Sequence, residues 1–285
     1  MRRRLTARAP PLLLALAAAL LLALVVGVCA AGNEVLRRHA ACAAADSASV
    51  LRRAERRLRT RADAGGGGAG EEGVLRVADF TAALSHEELA GWQRMPRHSA
   101  TGWRTQALPD ALARELRDWH ASAARRPEAA GPHLLGDVEV ASLAGSGLEL
   151  RLRAFLEARL LAWTGLRELE WSNSYGPRTY RRGASLAAHG DRLATHALSA
   201  IVWVDERRAD APWPLQIVPV GASGADAVQE VALGPGREVL LYESTQPHGR
   251  VRPLRGDAYT VVFFHWRPRG WQQAAARLLE HGLRA

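Results

Sequence analysis

The sequence predicts an α+β protein in which supporting helices pack on a double-stranded β-helix, or jelly roll. Two observations point there. Residues 74–165 carry apolar side chains at helical spacing, whereas Leu166 to Trp266 breaks into short β-type runs separated by Gly, Pro and Asp. Helices first and many short strands afterwards is the order expected of helices packed on a β-sandwich. A third observation adds a transmembrane helix ahead of the domain: Pro11 to Ala31 holds no charge and follows Arg2, Arg3, Arg4 and Arg8.

That run is long enough to cross a bilayer, which takes roughly 20 apolar residues. The Arg-rich leader is expected to stay cytoplasmic. Residues 1–32 therefore read as a leader and signal anchor of type II orientation, with the remainder facing the endoplasmic reticulum or Golgi lumen. A cleaved signal peptide, with Val28 and Ala30 before the cut, is the competing reading. Residues 33–73 read as an Ala- and Arg-rich stalk without a broad apolar face, ending in the hinge Gly65–Gly68 and Gly70.

Residues 74–285 form the expected folded domain, with its jelly-roll core at about 166–268. Ser85 and Glu88 have capping-box spacing ahead of Leu89 and Trp92. Pro109 opens a helix carrying Leu112, Leu116 and Trp119. Leu148 to Trp163 repeats the helical spacing, and Gly165 is placed to stop it. Strands are expected at Leu169–Tyr180, Ala197–Val204, Leu215–Val220, Val228–Leu233, Val239–Tyr242 and Ala258–Trp266, and a last amphipathic helix at Gln272–Leu283. Trp203, Trp213 and Trp266 are expected to pack the sandwich.

Composition excludes more than it identifies. The net charge is +9, but all 38 basic residues are Arg and Ala is abundant. That pairing reads as coding bias, so no nucleic-acid partner is expected from it. The two cysteines, Cys29 and Cys42, both precede the domain. The domain therefore has no CxxC, no zinc pattern and no disulfide framework. Oligomeric state is not legible.

The chemistry concentrates in TYRRGASLAAHGDR. His189 and Asp191 stand two apart, and on a strand such residues face the same way. His248 lies between two expected strands and can supply a third ligand. Two imidazoles and one carboxylate on one face of an iron leave positions open for other ligands.

The wider pattern resembles prolyl 4-hydroxylase catalytic domains. Tyr180, Gly183 and Leu186 lead to His189 and Asp191 as in Y-x-x-G-x-x-x-x-x-H-x-D. An apolar strand, a Gly234-Pro235-Gly236 turn, the strand REVLLYES, a single His248 and Gly256 then follow. YGPRTYRRGASLAAHGDR, WPLQI and HGRVRPLRG look like a branch of these oxygenases seen in algae and other protists. The resemblance spans about residues 166–268. It implies a dioxygenase that uses iron(II), 2-oxoglutarate, O2 and often ascorbate to hydroxylate a peptidyl residue, proline first. Its partner is then a proline-containing protein or peptide. His189, Asp191 and His248 are the implied catalytic metal ligands, and Tyr180 the implied cosubstrate-binding tyrosine.

The sequence departs from the family at one position. Ten residues after the distal His the family carries Lys or Arg for the far carboxylate of 2-oxoglutarate, and here Ala258 stands. A buried carboxylate needs a cation. Arg250, two residues past His248, is the first candidate for that role; Arg252, Arg255 and Arg178 are the fallbacks. Arg192 and His196 are candidates to orient the ligands, and Trp171, Asn173 and Tyr175 to line the substrate groove. Two other functions are compatible with parts of the sequence. A non-catalytic luminal binding protein of the same fold would accommodate Ala258. A luminal glycosyltransferase shares only the topology, and no DxD motif is present.

Overall fold

A computed structural model describes residues 74–82, 84–129, 131–208 and 211–282. The expected membrane span at 11–31, the stalk and the hinge lie outside the described residues. Among those that are described, no helix is long and apolar enough to cross a membrane.

The described residues form five helices and twelve strands, in chain order α1 Val77–Thr81, α2 His86–Arg94, β1 Trp103–Gln106, α3 Asp110–Ser122, β2 Arg126–Pro127, β3 Leu134–Leu135, β4 Val138–Val140, α4 Gly147–Thr164, β5 Leu169–Arg181, β6 Ser185–His189, β7 Leu198–Arg207, β8 Leu215–Ile217, β9 Gln229–Val231, β10 Val239–Glu243, β11 His248–Arg250, β12 Ala258–Pro268 and α5 Trp271–Gly282. A seven-stranded sheet runs β1-β10-β7-β12-β5-β4-β2, and a five-stranded sheet runs β3-β6-β11-β8-β9. Every pairing is antiparallel.

The layers follow from strand alternation. In β7, Ile201 and Trp203 face the smaller sheet, where they meet Leu186, Leu215 and Ile217. Leu198, Ala200, Val202 and Val204 face the other way, against Leu116 of α3 and Leu148, Leu152, Leu156 and Leu160 of α4. Both faces of β7 are buried, so its sequence is a continuous apolar run rather than an alternating one. The four α4 leucines recur every fourth residue and form one stripe. Fully burying such a side chain contributes about 1.5–3 kcal/mol. A third cluster, Val77, Phe80, Ala188, Val218 and Val228, lets α1 cover the outside of the smaller sheet.

Local signals behaved as the sequence suggests at several ends. Ser85 and Glu88 form a reciprocal capping box at α2. Gly165 closes α4 in the left-handed conformation, with φ +70°. Pro109 is the cap rather than the first residue of α3. The stretch 74–165, expected to be mainly helical, also contributes β1 to β4. These pieces are two to four residues long, too short for an alternating pattern to show, and are fixed by pairing with distant strands.

One close approach governs the smaller sheet. A Cβ on Gly249 would lie 2.8 Å from the Leu186 carbonyl oxygen and 2.9 Å from that of Ala187. Both obstacles are backbone of the paired strand β6 and cannot rotate away. Gly249→Ala is therefore expected to destabilise the domain by about 1–3 kcal/mol, the usual cost of overpacking. Urea unfolding of both proteins measures it; an unchanged midpoint would show that β11 can shift without loss.

Candidate metal centre

The site is built where β6 and β11 pair. His248 stands opposite His189, and Arg250 opposite Leu186, so β6 carries one extra residue between the two pairs. That bulge matters because Leu186 and His189 are an odd number of positions apart in the sequence. In a regular strand they would face opposite sides. With the bulge, Leu186 packs inside the sandwich, Ala188 packs outside under α1, and His189 turns inward again.

Asp191 is not on the strand, contrary to the expectation of a continuous extended segment. β6 ends at His189, and the chain turns so that the Asp191 amide donates to the Ser244 carbonyl at 3.0 Å. The i, i+2 relation holds as a convergence, but through a turn anchored on the loop before His248.

The three side chains form one cluster, with one possible ligand atom from each lying within 4.8 Å of the other two. Asp191 Oδ1 is 3.9 Å from His189 Nε2 and 3.8 Å from His248 Nε2. Each imidazole is oriented by its other nitrogen. His189 Nδ1 lies 2.9 Å from the Ala187 carbonyl and His248 Nδ1 lies 2.8 Å from the Gln246 carbonyl. A carbonyl only accepts, so both rings carry their proton on Nδ1 and present an Nε2 lone pair to the centre. This is how a metal-binding histidine is usually held. Both rings are thus fixed as donors before any ion arrives.

Electrostatics agree with a cation site. Burial, reinforced by the neighbouring His248, pulls the His189 pKa down to about 3. Burial likewise brings His265 to about 3. Burial opposes the Asp191 charge, but the imidazoles of His248, His265, His189 and His196 outweigh it and hold the carboxyl at about 2. Near neutral pH Asp191 is therefore a carboxylate, with His189 and His265 beside it as neutral imidazoles.

Arg250 is 1% exposed, among the most buried side chains of the domain. Its guanidinium lies over the rings of Tyr259, at 4.8 Å, and Trp213, at 5.1 Å. Nη2 donates to Tyr259 Oη at 3.1 Å and Nε to the Trp213 carbonyl at 3.4 Å. Nη1 is buried without a hydrogen-bond partner, and among the described residues no carboxylate pairs with this cation. The other candidates differ. Arg178 is engaged by Glu128, with Nε to Oε2 at 2.7 Å; Arg252 binds Glu230; Arg255 is exposed. Tyr180 is fully buried in the same cluster, packed edge-on against Trp213 at 5.0 Å, and its hydroxyl accepts from Arg178 Nη1 at 3.3 Å.

No protein-family profile matches this sequence, and no curated protein matches it. Solved structures do match. An oxidoreductase of the 2OG-Fe(II) oxygenase family from Burkholderia pseudomallei is 16% identical, with a TM-score of 0.45 over 58% of this chain and 85% of that one. A Pseudomonas putida prolyl-4-hydroxylase is 22% identical, with a TM-score of 0.42 over 60% of this chain and 94% of that one. HygX from Streptomyces hygroscopicus, solved with nickel and 2-oxoglutarate, is 16% identical, with a TM-score of 0.44 over 66% and 88%.

Several residues sit elsewhere than expected. Trp171 packs on the helix side of the large sheet, against Phe264, Trp266 and Arg153, and not in a groove by the metal cluster. Arg192 is exposed. His196, by contrast, does lie beside the site, its ring tilted against that of His265 with centroids 3.9 Å apart. Tyr175 packs against the inner core, with its hydroxyl donating to Glu128 at 2.9 Å. Neighbours of the site that the sequence does not mark include His133, Glu88 and Tyr242. His133 stacks on His189 at 4.9 Å. Glu88 Oε1 accepts from the Gly190 amide, between the two ligand residues, at 3.2 Å. Tyr242 Oη donates to Asp191 Oδ2 at 3.0 Å. Only Glu88 carried any signal, and that signal was for a helix cap.

The buried imidazoles make the domain acid-sensitive. His189 and His265 have folded pKa values near 3, below the ordinary 6.5. The unfolded chain therefore binds more protons between those values, and stability falls as pH drops below about 6.5. Asp191 adds to the loss only below 3.8, its ordinary value. Urea unfolding of metal-free protein at pH 7.5, 6 and 5 should show a falling midpoint. A flat profile would show that these rings are not buried neutral.

Proposed function

We propose that this chain is an iron(II)- and 2-oxoglutarate-dependent dioxygenase. The observation that carries the reading is Arg250, a buried cation with an unpartnered Nη1, on the strand that also supplies His248. A His-Asp-His cluster alone suits several metals. A buried cation two residues from one ligand adds a demand for an anion, which the carboxylates of 2-oxoglutarate satisfy.

The residues fit both groups. His189 Nε2, His248 Nε2 and Asp191 Oδ1 would hold the iron, with positions left for the cosubstrate and O2. Arg250 Nη1 would bind the far carboxylate, and the hydroxyl of Tyr180, a member of the same buried cluster, would donate to the cosubstrate. Trp213, Tyr259 and Tyr180 exclude water around the guanidinium, which strengthens each polar contact made there. The bound iron and cosubstrate supply oxidative decarboxylation coupled to C–H hydroxylation. The chain supplies position and a dry pocket.

The substrate in this reading is a peptidyl residue, with proline favoured by the motif resemblance, and ascorbate serves as an accessory reductant. The uncharged run 11–31 after an Arg-rich leader supports a location in the secretory pathway, as a type II membrane protein with a luminal catalytic domain. A non-catalytic binding protein remains the rival, but Ala258 no longer supports it. Tyr259, Val261 and Phe263 face the inner core, so by alternation Ala258 faces away from it, and Arg250 holds the inward place.

Incubation with iron(II), 2-oxoglutarate and a proline-containing peptide library, read by mass spectrometry, is expected to give succinate and a product heavier by one oxygen. Neither appearing would overturn the reading. Charge-assisted hydrogen bonds of this kind contribute about 1.5–3 kcal/mol. Arg250→Ala is therefore expected to raise the 2-oxoglutarate requirement roughly ten- to a hundredfold, with metal affinity nearly unchanged. Loss of 2-oxoglutarate binding in Arg178→Ala or Arg252→Ala but not in Arg250→Ala would move the anchor.

A further inference from the structure

Tyr242, Ser199 and His265 stand directly opposite one another on β10, β7 and β12. Opposed residues of neighbouring strands share a face, so three polar side chains reach the inside of the sandwich as one row. Their neighbours on that face, Ile201, Leu240 and Phe263 among them, are apolar. Polar groups in such a layer are costly unless they meet partners.

The row meets a single atom. Tyr242 Oη donates to Asp191 Oδ2 at 3.0 Å, and Ser199 Oγ lies 3.5 Å from the same oxygen. His265 Nδ1 is 2.7 Å from Ser199 Oγ and 3.9 Å from Oδ2. With a proton on Nδ1, His265 donates to Ser199, whose own proton is then directed at Asp191. His196 lies over the His265 ring and fixes its plane. The Tyr242 phenol keeps its proton, because burial and then the Asp191 charge push its pKa well above the ordinary value.

The other carboxylate oxygen, Oδ1, faces His189 and His248. A carboxylate beside a divalent ion binds through one oxygen or through both, and the second mode takes a position that the cosubstrate or O2 would need. We propose that Tyr242 is a positioning residue, aided by Ser199 and His265, that engages Oδ2 and so holds Asp191 as a one-oxygen ligand. The inference rests on the reading of the cluster as a metal centre.

The test uses the full chain in detergent and Co(II) as the probe, without 2-oxoglutarate. Co(II) affinity is measured by calorimetry. Difference infrared spectra, Co(II)-loaded minus metal-free, give the splitting between the two carboxylate stretches, which is wide for one-oxygen binding and narrow for two-oxygen binding. Tyr242→Phe, which keeps the ring, is expected to lower Co(II) affinity about tenfold, the low end for loss of a group that orients a ligand, and to narrow the splitting. Ser199→Ala leaves the Tyr242 bond in place and should move both readings the same way by less. Trp103→Phe alters the residue opposite Tyr242 on β1, whose indole binds Gln229; it should change neither reading, whatever it does to stability. Wild-type protein that takes up no Co(II) overturns the metal reading itself. Wild-type uptake, with Tyr242→Phe matching it in both affinity and splitting, overturns the positioning role alone.

Discussion

The antiparallel pairing of β11 with β6 is the contact on which the site depends. It sets His248 opposite His189, though 59 residues of chain separate them. The pairing is tight because Gly249 has no side chain and lies against the Leu186 and Ala187 carbonyls. The same register directs both imidazole Nδ1 atoms to carbonyls two residues upstream, at Ala187 and Gln246. The rings are therefore oriented by the backbone of their own segments. The large sheet adds a second constraint from across the sandwich, where Tyr242 reaches Asp191. Two facing sheets thus divide the work: the smaller presents the imidazoles, and the larger holds the carboxylate.

Much of this was legible in the sequence, for physical reasons that differ by element. The α4 stripe and the apolar runs of β7 and β12 read clearly because each buries whole faces, and burial imposes periodicity. His189, Asp191 and His248 were legible through the spacing of a larger motif. The short strands β1 to β4 were not, since each borrows its stability from a longer partner and needs no pattern of its own. The β6 bulge was also hidden. Nothing in Ser185–His189 marks an extra residue, and its effect appears only when Leu186 and His189 are seen on the same side. Tyr242, Ser199 and His265 each looked like an ordinary strand residue; their common row exists only after three strands are placed in register.

In the proposed reading, the cation for the far carboxylate moves from position 258 to Arg250 within the same pocket. Counting ten residues from His248 reaches Ala258, and alternation along β12 turns that side chain away from the inner core. The inward neighbour is Tyr259, whose hydroxyl accepts from Arg250. A long cation at 258 would leave the inner core for the opposite face of the large sheet, where the residues paired with 258 are Arg181 of β5 and Arg207 of β7. A cation there would stand beside like charges, which is unfavourable for directly opposed strand residues. Arg250 instead lies over two aromatic faces, which attract a guanidinium, and two of its nitrogens are hydrogen-bonded. The remaining Nη1 is the one polar group of this side chain that the folded chain leaves unmatched. A buried donor in that state costs about 1–3 kcal/mol, and more when it is charged. In the proposed reading that cost would fall when an anion arrives, so that the strain of the free protein would become binding energy for a carboxylate. The same atoms thereby explain why the pocket tolerates a charge and why it should favour a dianionic cosubstrate over a neutral one.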